Sequence, residues 1–151
     1  MPFSSESDRS DASLAYALMR VTFGVNIFMR GVMRIYSGTG GFAQGMLKQF
    51  EGTPMPPAII QPFALALPWV ESVIGLMIIL GLKTRAALVA GSLMMTILTF
   101  GTMVRQDFQI AFLQLAYVII LFLLLALRSW NRISIDAAIG GGGSPSSSAR
   151  L

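Results

Sequence analysis

The sequence predicts an all-α integral membrane protein, a bundle of four transmembrane helices with a short amphipathic helix between the first two. Three observations lead there. Of 151 residues, 54% are hydrophobic and only 12% are charged, about half the charge of a soluble domain, where roughly 25% is usual. Mean hydropathy is +0.69. The apolar residues fall into four blocks separated by short polar or basic turns. The length suits one domain. There is no cysteine and no histidine, so disulfides, thiolate or imidazole metal sites and the usual haem ligation are excluded. No cofactor is expected to be held covalently or through Cys or His. The net charge of +4 comes from Lys and Arg that flank apolar runs, as membrane anchors do. No nucleic-acid partner is expected; the lipid bilayer is.

Taken in order, residues 1–12 are polar, without the basic start of a signal peptide. They are expected to form a poorly ordered cytoplasmic tail, with Asp11 or Ser13 as the first helix cap. The transmembrane domain is then expected over 13–133. The first span, about 14–36, is interrupted by Arg20, Arg30 and Arg34. A central Arg costs ~2.5–3.5 kcal/mol on insertion scales, so this helix needs its neighbours. Between it and the second span, Phe42, Met46, Leu47 and Phe50 recur at helical spacing, which suits a short helix in the headgroup region. The alternative is a loop with scattered apolar residues. Thr53–Pro54–Met55–Pro56–Pro57 breaks that segment.

The second span, about 58–82, contains one charge, Glu71, and two prolines, Pro62 and Pro68, which should bend it. The third, about 86–104, and the fourth, about 110–127, carry no charge and approach the ~20 residues that cross a bilayer. Lys83–Thr84–Arg85 and Arg105–Gln106–Asp107 make the turns, and Arg128, Trp130 and Arg132 form an interfacial anchor. Residues 134–151, rich in Gly and Ser, read as a flexible tail. The distribution of Lys and Arg over the turns favours both termini in the cytoplasm.

Ionisable groups inside a membrane need partners, so Glu71 and the three arginines are the candidate site. At 100° per residue the arginines share an arc of roughly 80° on the first span. Depth counting puts Glu71 about 14 Å from the outer end of its helix, level with Asn26 on the antiparallel first span and within side-chain reach of Arg30 and Arg20. Glu71 and an Arg can form a buried pair that fixes packing, or a polar pocket for a ligand headgroup; the two are compatible. Gly24 and Gly31 align along the first span as a close-packing stripe. Gln114 and Tyr117, one turn apart on the fourth span, are expected to hydrogen-bond another helix or a ligand carbonyl. Thr96, Thr99 and Thr102 are expected to bond back to their own helix.

Two stretches resemble the DoxX family of small four-helix membrane proteins. One is Arg20–Val21–Thr22–Phe23–Gly24 with Ile27–Phe28–Met29–Arg30–Gly31 and Arg34. The other is Pro68–Trp69–Val70–Glu71 followed by Gly75 and Gly81–Leu82–Lys83–Thr84–Arg85. Arg30 stands where that family often has His, which argues against a proton relay there. The resemblance implies a bacterial plasma membrane and a subunit associated with quinone-linked redox chemistry. On this reading Arg20, Asn26, Arg30, Arg34, Glu71, Gln114 and Tyr117 surround a quinone or lipid. The alternative is a non-catalytic accessory subunit packed against a larger respiratory or photosynthetic complex, with other membrane subunits as partners.

Overall fold

The computed structural model describes residues 6–140. They form α1 (Glu6–Tyr36), α2 (Thr39–Gln49), α3 (Pro57–Leu80), α4 (Thr84–Val104), α5 (Phe108–Ala126) and α6 (Ile135–Gly140), with a single 3-10 turn at Arg128–Trp130 between the last two. There is no strand among the described residues. Four helices, α1, α3, α4 and α5, are long and apolar enough to cross a membrane. The chain is a multi-pass membrane protein with the expected four-span bundle. Large apolar side chains such as Leu93, Phe100, Phe112 and Phe122 cover its outside, where lipid replaces water. The inside is a core of Phe23, Ile27, Leu67, Ile78, Leu88, Met95, Leu121 and Leu124.

Two boundaries differ from expectation. Helix α1 begins at Glu6, ahead of Asp11 and Ser13; Ser13 lies inside it and bonds back to the Arg9 carbonyl at 2.9 Å. Glu6 and Asp8 in its first turn favour that start, because acidic groups suit a helix N-terminus. Ile135–Gly140, within the stretch expected to be a flexible tail, instead form α6, held by Asp136. The rest of the Gly/Ser tail, and residues 1–5, lie outside the described residues.

Helices α1 and α3 make the closest contact of the bundle. Three glycines allow it. A Cβ at Gly31 would collide with the Pro68 carbonyl and Ser72, and one at Gly75 with the Phe28 backbone. At Gly24 it would lie 2.8 Å from Ile79 Cγ1. The aligned pair Gly24 and Gly31 was legible as a packing stripe; Gly75 is its counterpart on α3. Helix α2 lies over α3, with Ala43 buried and Phe42 and Met46 packed against the core. The amphipathic spacing thus forms a helix, as expected, and its apolar face meets protein.

The opposite end of the bundle is closed by α6. Gly81, in the left-handed region at φ 63°, stops α3. The Asp136 carboxylate accepts the Lys83 N–H at 2.7 Å and the Thr84 N–H at 2.6 Å, capping α4 from a distance in sequence. Burial disfavours its charge, but the amide donors of Thr84 and Lys83, with Arg20 nearby, outweigh that and hold Asp136 below its ordinary carboxylate value. Its capping contribution is therefore complete above that ordinary value, about 3.8, and is lost as pH falls through the lower folded value.

Thermal unfolding in detergent tests both features. Gly31→Val should destabilise by about 1–3 kcal/mol through overpacking. Gly45→Ala, in open space on α2, should be neutral or gain up to about 1 kcal/mol. Asp136→Asn should melt below the wild type at neutral pH, and the gap should close as the pH is lowered beneath about 3.8.

Candidate functional site

The polar centre lies toward the α2 end of the bundle, where the C-terminal turns of α1 and α4 meet α3 up to its middle, at Glu71, and the first half of α5 up to Tyr117. Glu71 is its deepest member, 0% exposed. Its Oε2 lies 2.5 Å from Arg34 Nη1, and its Oε1 has no hydrogen-bond partner among the described residues. Arg34 in turn stacks on the Phe42 ring of α2, 4.5 Å from its centroid. The arginine paired with Glu71 is thus Arg34, not Arg30 or Arg20, which depth counting favoured. Side chains on a helix lean toward its N-terminus. In antiparallel helices Arg34 leans inward and Glu71 leans outward, so two residues at different Cα levels meet.

Arg30 has a different environment. Its Nη2 donates to the Tyr117 hydroxyl at 2.6 Å, and its guanidinium lies 4.8 Å from that ring's centroid. The Tyr117 hydroxyl in turn donates a hydrogen bond to Asn26 Oδ1 at 3.2 Å. Arg105, at the end of α4, bonds Gln49 on α2 and sits 3.3 Å from Asp107 and 5.4 Å from the Phe50 centroid. Thr102 bridges its own helix, at the Thr99 carbonyl, to Gln114 of α5 at 3.0 Å.

These groups surround a cavity of about 460 Å³, lined by Arg30, Arg34, Arg105, Gln114 and Tyr117 and walled by Phe42, Phe50, Phe63 and Leu67. Arg34 is matched by Glu71 and Arg105 by Asp107. Arg30 forms no ion pair among the described residues, so the cavity carries a surplus positive charge inside a low-dielectric bundle. Its three arginines each lie over an aromatic ring.

Of the residues picked out by sequence, Arg30, Arg34, Glu71, Gln114 and Tyr117 come together here, with Asn26 behind Tyr117. Arg20 does not. It is 3% exposed at the α6 end and donates to the Ile78 carbonyl at 3.2 Å and the Ile133 carbonyl at 2.8 Å. The shared arc on α1 was real, but Arg20 and Arg34 are fourteen residues, about 21 Å, apart along the axis, beyond any side chain. Arg105, Gln49, Phe42 and Phe50 belong to the site and escaped sequence reading. Arg105 looked like a turn anchor, and the phenylalanines like a membrane face. The threonines bond back to their own helix as expected, Thr96 to Ser92 and Thr99 to Met95.

Removing one partner of a buried pair strands the other. Arg34→Leu should therefore destabilise strongly, by up to about 3–5 kcal/mol less the screening due to Arg34's partial exposure. The double variant Arg34→Leu/Glu71→Leu should recover part of the loss. Additive losses in thermal unfolding would show that the pair carries no coupling.

A family model described as methylamine utilisation protein MauE matches residues 12–137. No curated protein and no solved structure matches the chain. The match overturns the resemblance to the DoxX family, which is a different membrane family. The residues behind that resemblance were a helix with glycines and arginines, a buried Glu and a Gly–Leu–x–Thr–Arg turn. In this fold they report close α1–α3 packing and a helix stop, features that packing and chain reversal demand of small helical bundles in general.

Proposed function

The chain belongs to the MauE family, and from that premise we infer that it serves redox chemistry in the membrane by holding a quinone in the arginine-lined cavity at the α2 end. The observation that carries this reading is Arg30, a buried-site cation that forms no ion pair among the described residues and faces a cavity of about 460 Å³. A quinone ring suits such a cavity, with carbonyl acceptors for the arginine donors on a flat, uncharged frame. Arg30 and Gln114 supply donors toward the carbonyls, and Phe42, Phe50 and Phe63 supply apolar and aromatic walls. The Glu71–Arg34 pair braces the α1–α3 wall. The quinone, when bound, supplies two-electron acceptance; the chain's own part is to bind and orient the ring and to keep water from it.

In this reading the α6 end faces the cytoplasm of a bacterial cell. Lys83, Arg85, Arg128 and Arg132 are exposed there, whereas Arg30 and Arg34 turn into the cavity and do not act as flanking charges. That sharpens the bias that orients spans.

A second reading has its own support. Without Cys or His the chain cannot hold a haem or cluster in the usual ways, which suits an accessory subunit of a larger redox assembly. Purification in a gentle detergent separates the two: co-purification with redox subunits and no quinone binding favours the accessory role.

Quinone titration of the protein in nanodiscs, followed by quenching of tryptophan fluorescence, tests the leading reading. Arg30→Leu should weaken binding by about tenfold or more, the cost of a charge-assisted hydrogen bond. Unchanged affinity in folded Arg30→Leu and Glu71→Gln variants removes the cavity as the site.

A further inference from the structure

Helices α1 and α5 touch only lightly, and between them runs a second, lipid-facing groove of about 500 Å³. Its walls include Met19, Ala116 and Ile120, and Thr22, Asn26 and Tyr117 also line it. Tyr117 lines this groove and the arginine-lined cavity alike. It is the partition between them, stacked under Arg30 on one side and bonded to Asn26 on the other. Asn26 is exposed on the lipid-facing side of α1, a costly place for a carboxamide in hydrocarbon. Its bond from Tyr117 offsets part of that cost and holds the ring across the opening.

We propose that the α1–α5 groove takes the aliphatic tail of the same ligand whose head lies against Arg30, with Tyr117 at the neck between head and tail. This rests on the reading of the cavity as a quinone site. Two observations commit the groove to a tail. It abuts the cavity at Tyr117, the one residue that lines both, and that cavity holds Arg30, which forms no ion pair among the described residues and would fix an acceptor head. The ligand then reaches the site sideways from the bilayer, with its tail in the groove throughout. A tail moved from lipid to groove exchanges one apolar surround for another. The open groove therefore adds little affinity of its own, whereas a filled groove leaves the tail no place and costs the tailed ligand its seat at Arg30.

The test uses the full chain in nanodiscs and two probes: a tail-free methyl-substituted benzoquinone and the same ring carrying a decyl chain. Ala116 is exposed, so Ala116→Trp fills the groove without loading the core; Leu115→Trp puts equal bulk on the same helix outside it. The expected result is at least about tenfold weaker binding of the decyl probe in Ala116→Trp alone, with the tail-free probe bound as in the wild type. Tail-free binding also certifies the fold of the variant. Unchanged binding of both probes in Ala116→Trp overturns the groove and leaves the Arg30 head site standing. Equal loss of both probes also overturns it, since the effect is then not on the tail. If neither probe binds the wild type, the cavity reading fails and the groove with it.

Discussion

Helix α1 has to carry three arginines through a bilayer, and the way each is satisfied decides how the bundle assembles. A guanidinium in hydrocarbon keeps its charge and needs acceptors for several N–H groups. Arg20 takes the backbone carbonyls of Ile78 and Ile133, Arg34 takes the Glu71 carboxylate, and Arg30 takes the Tyr117 hydroxyl. Those partners sit on α3, on the segment after α5, and on α5. Helix α1 is thereby tied to most of the bundle by its least hydrophobic residues. The glycines that let α1 approach α3 serve the same end, since the Arg34–Glu71 bond requires that the backbones come close.

The two ends of α1 solve the problem with different chemistry, and the difference separates structure from function. At the α6 end Arg20 acts as a helix terminator. It fills the space beside Gly81, where a Cβ would collide with its guanidinium, and binds a carbonyl of the last turn of α3. Its Nε has no hydrogen-bond partner among the described residues. At the α2 end the arginines are only partly matched and line a cavity. Each of the three, Arg30, Arg34 and Arg105, also lies over an aromatic ring. Cation–π contact lowers the cost of a cation away from water while leaving its N–H edge free to bond. That is the arrangement a pocket needs and a pure packing contact does not. Helix α2 and its C-cap residue Phe50 supply two of the three rings, so the amphipathic helix roofs the site as well as covering apolar surface.

The four spans and the amphipathic helix were legible because each is written locally, in runs and periods of apolar residues. The α1–α3 approach was legible in part, from the glycines at positions 24 and 31. The site was legible as a set of residue types. Its pairings were not. Angular position around α1 grouped Arg20 with Arg30 and Arg34, but only axial distance separates a shared face from a shared site. The lean of antiparallel side chains selects Arg34 for Glu71, which no count of Cα levels reveals. Arg105 and α6 were hidden for another reason. Their roles depend on α2 and α4 ends that are remote in sequence, and a polar residue in a turn looks the same whether it meets solvent or a neighbouring helix. The family was misread because packing glycines and turn motifs report a bundle's geometry more than its ancestry.

A redox role for a chain with neither Cys nor His constrains how that role is carried out. Such a chain cannot relay electrons through thiols, clusters or haem held in the usual way. What it can offer is a place: a cationic, aromatic-walled cavity within the bundle. Such a place favours a ligand that is uncharged and soluble in the membrane before it meets Arg30, because an anion would face the bilayer's desolvation cost on the way in. The same argument disfavours small water-soluble anions, although the surplus charge would attract them. A neutral acceptor that gains negative charge on reduction is stabilised most in the reduced state, when Arg30 has most to neutralise. The surplus cation therefore biases the site toward a carrier whose polarity rises as it takes electrons.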